Sequence, residues 1–124
     1  MLSTLIHVAL GGALGASARW GLGLWVSRHV TGALPLAVLV ANVVGSALMG
    51  AFVVWAARTG HTEWLPFVAV GFLGGFTTFS TFSLEAVTLL ERGEVGVAAI
   101  YVALSVGLSI GGLALGALAA RAAL

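Results

Sequence analysis

At 124 residues, with 60% hydrophobic and only 7% charged side chains, the chain has too little polar surface to cover a water-soluble domain and reads as an integral membrane protein. A net charge of +1 gives a nucleic-acid partner no electrostatic footprint, and the absence of cysteine excludes disulfides and thiolate metal sites. The length accommodates about four spans of roughly 20 residues with short loops, so any chemistry lies within the spans.

The first apolar stretch, 2–26, is interrupted by His7, Ser17 and Arg19. It lacks the basic start of a signal peptide and is too long for one, so it reads as a span. Arg28, His29, Thr31 and Gly32 make a loop, after which Pro35 suits the first turn of a second helix, 35–57, that stays uncharged until Arg58. Its 23 residues extend about 35 Å at the helical rise, enough to cross with some tilt. Arg58, Gly60, His61 and Glu63 form the next loop, and Trp64 and Pro66 open a third segment, 64–90. Beyond a loop of Glu91, Arg92, Gly93 and Glu94, an uncharged span covers 95–120 and Arg121 closes it. Membrane-barrel strands are much shorter than these segments.

Small residues four apart, such as Gly11 with Gly15, Ser46 with Gly50, Gly107 with Gly111 and Gly112 with Gly116, let backbones approach in lipid. With four spans, Arg58 and Arg121 share one side and Arg28 and Arg92 the other. The positive-inside rule needs an asymmetry that these loops do not supply. Either Arg19 fixes one orientation, or both coexist and associate as an antiparallel homodimer with its two-fold axis in the membrane plane.

Within the third segment, residues 71–83 read GFLGGFTTFSTFS and place Thr77, Thr78, Ser80, Thr81 and Ser83 at bilayer depth among Phe76, Phe79 and Phe82. Gly74 and Gly75 followed by two threonines weaken the helix, so a break is expected there; the alternative is a continuous helix whose hydroxyls bond back to carbonyls one turn earlier. Carbonyls freed by a break suit a hard cation such as sodium, and two chains meeting at a dyad would double their number. Phe79 and Phe82 share a helical face, whereas Thr78, Thr81 and Glu85 fall on another stripe. Tyr101, Ser105 and Ser109 form a hydroxyl ladder in span four, and Asn42 and Ser46 a shorter one in span two. Neutral donors with almost no fixed charge suit a small dehydrated anion better than a cation, which an anion-facing phenyl edge would reinforce.

The stretches 11–16 (GGALGA) with Arg19-Trp20, Asn42-Val43-Val44-Gly45-Ser46 with Gly50, and 74–83 (GGFTTFSTFS) together resemble the Fluc (CrcB) family of fluoride channels over essentially the whole chain. The resemblance implies an all-α integral membrane fold with four transmembrane helices, the third broken near its middle, and an antiparallel dual-topology homodimer with two pores. It implies passive fluoride export across the bacterial inner membrane, with fluoride, membrane lipid and a second copy as partners. Carried over residue by residue, it assigns the paired pore rings to Phe79 and Phe82, and the pore amide to Asn42. It assigns the polar track to Ser80, Thr81, Tyr101, Ser105 and Ser109. A structural sodium (Na+) would be held by the Gly74 and Thr77 carbonyls, with Arg19 near the vestibule and Glu85 near the end of the track. One departure is Ala37-Val38, where the family commonly has Gly-Thr and hence a further hydroxyl.

No catalytic motif appears: 71–75 lacks the strand and spacing of a dinucleotide site, and there is no P-loop. His7 is interfacial or packing, His29 and His61 are loop residues, and no ligand set for zinc is formed. A small proton-coupled multidrug exporter is the alternative, but it needs an early membrane carboxylate that span one lacks. An accessory subunit would leave the hydroxyl ladders without a purpose.

Overall fold

No strand forms in the 124 residues described by the computed structural model. Helix α1 (Leu2–His29) and helix α2 (Leu36–Thr59) are followed by a single 3-10 turn, Thr62–Trp64. Helix α3 covers 66–76, wound as a π-helix over Pro66–Leu73 and continued by an α-helical turn, Gly74–Phe76. After two extended residues come α4 (Phe79–Glu91) and α5 (Val95–Ala123). The element bounds follow the apolar segments within a few residues.

Helix ends follow local chemistry. Gly60 takes the left-handed conformation (φ 77°) that ends α2, and the His61 N–H donates back to the Ala56 carbonyl at 3.0 Å. Gly93 (φ 77°) ends α4 likewise, with the Glu94 N–H on the Leu89 carbonyl at 2.9 Å. Pro35 stands just outside α2, its carbonyl accepting from the Leu39 N–H at 3.3 Å, whereas Pro66 occupies the first turn of its helix.

The expected break in the third segment is present, but it lies after the glycines. Gly74 keeps helical angles (φ −63°, ψ −38°), and the chain becomes extended at Thr77 (φ −84°, ψ 157°) and Thr78 (φ −155°, ψ 124°). β-branched residues favour extended backbone, so the threonines break the helix. The glycines instead admit α1: a methyl group at Gly75 would lie 2.7 Å from the Gly12 carbonyl oxygen, and one at Gly71 2.8 Å from that of Val8. A methyl at Gly15 would land on the Phe72 carbonyl. Helices α2 and α5 meet in the same way, Gly50 against Leu113 and Gly116 against Ala47. Gly107 and Gly111, although correctly spaced, have nothing within 4 Å.

Only 17 of 124 residues are buried, and the main cluster (Val38, Leu39, Phe82, Leu89, Ala98 and Tyr101) joins α2, α4 and α5. Long apolar side chains cover the outside, as lipid requires. Three segments are long and apolar enough to cross a membrane: Leu36–Thr59, Thr62–Glu91 and Val95–Ala123. Helix α1 is as long as these but less apolar, with Ser3, Thr4, His7, Ser17 and Arg19 along its length, so of the four expected spans it is the one that composition alone does not support.

Candidate functional site

The break is seated on α2. Asn42 places its side-chain amide against the backbone of Thr78, with Nδ2 donating to the Thr78 carbonyl at 2.9 Å and Oδ1 accepting from the Thr78 N–H at 2.7 Å. Three residues on, Gly45 makes room for Thr77, because a methyl there would collide with the Thr77 Cγ2. The Thr78 hydroxyl caps α4 by accepting from the Thr81 N–H at 3.2 Å.

These bonds redirect the helical ladder. In an uninterrupted helix the Thr78 N–H would donate to the Gly74 carbonyl and the Thr81 N–H to that of Thr77. Here both donors are taken by side chains, and neither carbonyl accepts a hydrogen bond within the chain. The Gly75 carbonyl receives the Nε of Arg19 at 3.3 Å. Arg19 therefore sits beside the end of α3, half-buried, while its neighbour Trp20 is exposed.

Beside the break is a cleft of about 410 Å³ formed by α2, the break, the start of α4 and the middle of α5. Asn42, Ser46, Phe79, Phe82, Ser105 and Ser109 reach it, and its apolar side is closed by Val106 and Ile110. No charged side chain lines it. The Ser105 and Ser109 hydroxyls are buried and have no hydrogen-bond partner, a costly state for a polar atom unless something else completes it. Gly74, Thr77 and Thr78 line the cleft as well, so it is bordered both by the positive start of α4 and by the carbonyl-bearing end of α3.

The remaining candidates separate. Phe79 and Phe82 are in contact (ring centroids 5.4 Å apart, planes at 59°), but Phe82 is 7% exposed and Phe79 77%. Phe82 also packs on Tyr101, which lies deeper and is not part of the cleft wall; the Tyr101 hydroxyl donates to Glu85 Oε2 at 2.6 Å. Glu85 is thus joined to the α5 ladder rather than to Thr81. Ser80 and Thr81 do not line the cleft: the Thr78 hydroxyl donates to Thr81 Oγ1 at 3.2 Å and lies 3.4 Å from Ser80 Oγ. Thr78 was not among the assigned residues, and nothing in its spacing marks the contact with Asn42. Ser46 was signalled by its place four residues after Asn42.

Comparison with known proteins identifies the family of the chain. The family described as CrcB-like protein, Camphor Resistance (CrcB), matches residues 6–117. The chain is 61% identical over 126 residues to a Fluoride-specific ion channel FluC from Ruegeria sp. (strain TM1040), covering 100% of this chain and 99% of the relative. It is 58% identical over 122 residues to one from Roseobacter denitrificans, covering 97% of each. A FluC from Rhizobium etli is 45% identical over 117 residues, or 93% of this chain and 94% of the relative.

Proposed function

The chain belongs to the CrcB-like family, and on that premise we propose that it is a fluoride channel through which the anion leaves the cytoplasm down its electrochemical gradient. Membership places it among multi-pass inner-membrane channels rather than enzymes. The observation that carries the reading is the cleft, free of fixed charge and walled in part by Ser105 and Ser109, whose buried hydroxyls have no partner within the chain. A small anion supplies the acceptor that Ser105 and Ser109 lack. The start of α4 adds the positive end of a helix dipole, and the edges of the Phe79 and Phe82 rings are suited to the same charge. Donors without full charges replace hydration yet allow release, as conduction requires.

The working form in this reading is an antiparallel homodimer with its dyad in the membrane plane and two anion paths, each completed by the opposite copy. Three features support it: the exposure of Phe79, the open side of the cleft and the even division of loop arginines. Helix α1, held against α3 by glycine contacts, is the fourth span. The Gly74 and Thr77 carbonyls, free of helical hydrogen bonds, are suitable hard donors for sodium. When bound, the ion would supply a fixed positive charge at the dyad; the two breaks would hold it through these carbonyls from both chains.

Hydrofluoric acid crosses lipid as a neutral molecule and ionises in a less acidic cytoplasm, where the anion is trapped. An inside-negative potential then drives fluoride outward, so a passive path suffices. The test is fluoride efflux from liposomes containing only the purified protein, with chloride efflux measured in parallel. Fluoride release without chloride release is expected. Transport of a cationic dye with no fluoride release would replace this reading with that of a proton-coupled exporter.

A further inference from the structure

We propose that Asn42 serves permeation as a positioning residue that acts through the backbone of Thr78, rather than chiefly as a ligand of the passing anion; this rests on the channel reading above. The geometry limits what Asn42 has to offer. A side-chain amide has one carbonyl oxygen and two N–H donors. Its oxygen accepts from the Thr78 N–H at 2.7 Å and one donor is given to the Thr78 carbonyl at 2.9 Å, leaving a single N–H for the cleft that Asn42 also lines.

The two bonds to Thr78 have consequences for the whole site. They pair α2 with an extended residue as a neighbouring strand would, and so replace the hydrogen bonds that the backbone forgoes at the break. They keep the Thr78 N–H from closing onto the Gly74 carbonyl, which would rebuild the helical turn. They also fix the residue whose hydroxyl caps α4, and hence the start of the helix that carries Phe79 and Phe82. The seat is shaped for this purpose, since Gly45 on the same helix admits Thr77 where any larger residue would push the break away. Asn42 therefore sets the position of the rings and the freedom of the Gly74 carbonyl together.

The decisive experiment removes the Thr78 N–H without touching Asn42, by an amide-to-ester replacement at Thr78 in the full-length protein, alone and combined with Asn42→Ala. Fluoride efflux from proteoliposomes should fall roughly tenfold with the ester alone, as for loss of a buried hydrogen bond. Any part of that loss caused by the weaker ester carbonyl appears in both backgrounds, so the penalty should be several-fold smaller once Asn42 is alanine. An equal penalty in both backgrounds would overturn the proposal.

A second measurement does not depend on flux. The ¹³C chemical shifts of Thr77 and Thr78, which distinguish extended from helical backbone, should move in Asn42→Ala and stay as in the unaltered protein in Ser109→Ala. Should the alanine variant fail to fold, Asn42→Asp keeps the shape and the acceptor but loses the donor, and the Thr78 carbonyl shift should move. Shifts unchanged by substitution of Asn42 would overturn the proposal. Unaltered protein that releases no fluoride would refute the channel reading, and the shifts would still decide the role of Asn42.

Discussion

Ser105 and Ser109 show at the level of single residues how a site can be distinguished from packing. A buried hydroxyl that bonds to a neighbour stabilises the fold modestly, whereas one without a partner is a net cost that alanine removes. Ser105→Ala and Ser109→Ala should therefore raise resistance to unfolding in detergent slightly, by up to about 1 kcal/mol, while slowing fluoride efflux roughly tenfold. Loss of stability with unchanged flux in both would mean that these hydroxyls serve the fold. The two rings provide a second contrast. Phe82 is buried between Phe79 and Tyr101, so Phe82→Ile should cost the chain about 1 to 3 kcal/mol through poorer packing. Phe79 is 77% exposed, so Phe79→Ile should leave the stability of the chain nearly unchanged. Both should depress fluoride efflux with the dimer intact, and unchanged flux in both would return the rings to a packing role.

Between helices, the decisive contacts are made by backbone. A methyl at Gly15 would land on the Phe72 carbonyl, so Gly15→Ala should separate α1 from α3 and lower stability by about 1 to 3 kcal/mol. Gly107→Ala is the control: its methyl meets nothing within 4 Å, so it should be tolerated within the chain and should favour α5 by roughly 1 kcal/mol of helix propensity. Stability measured on both variants checks the pair, and equal losses would argue against glycine-mediated packing. This difference between two glycines was not visible in the sequence, where both belong to small-residue pairs four apart. Helix lengths and the existence of a break were legible, because a bilayer leaves few alternatives for apolar segments of this length. The position of the break was legible only to within a few residues: Gly74 and Gly75 followed by two threonines marked the region, but the glycines stay helical, Gly75 packed on α1, and the threonines extend. In the site, the recurrence of Ser105 and Ser109 one turn apart was enough to place them together. Ser80 and Thr81 meet Thr78 through the local contacts of a helix cap, whereas the pairing between Asn42 and Thr78, 36 residues apart, is one that no periodicity reveals.

For the molecule as a whole, the question is how a chain with so few buried residues becomes a closed path. With 17 residues of 124 buried, most of Phe79 stays exposed and one side of the cleft stays open, and an inverted second copy is the proposed cover. Such pairing requires that both orientations insert in comparable amounts. The loop arginines allow this: Arg58 and Arg121 end α2 and α5 on one side, where Arg58 Nη1 donates to the Arg121 carbonyl at 2.9 Å, and Arg28 and Arg92 balance them on the other. A balance of two against two is easily upset, because orientation responds to Lys and Arg close to the span ends. Two lysines added beside Gly60, in the short and exposed connection between α2 and α3, should bias insertion toward one orientation without touching the cleft. Dimer yield and fluoride efflux should fall together, and both should recover when a copy biased by two lysines near Arg92 is co-expressed. Recovery on mixing separates a topological defect from a folding defect, since a misfolded chain is not rescued by an inverted partner. Assembly that is unchanged by the added lysines would mean that Arg19 or the lipid fixes one orientation, and the antiparallel arrangement would have to be abandoned.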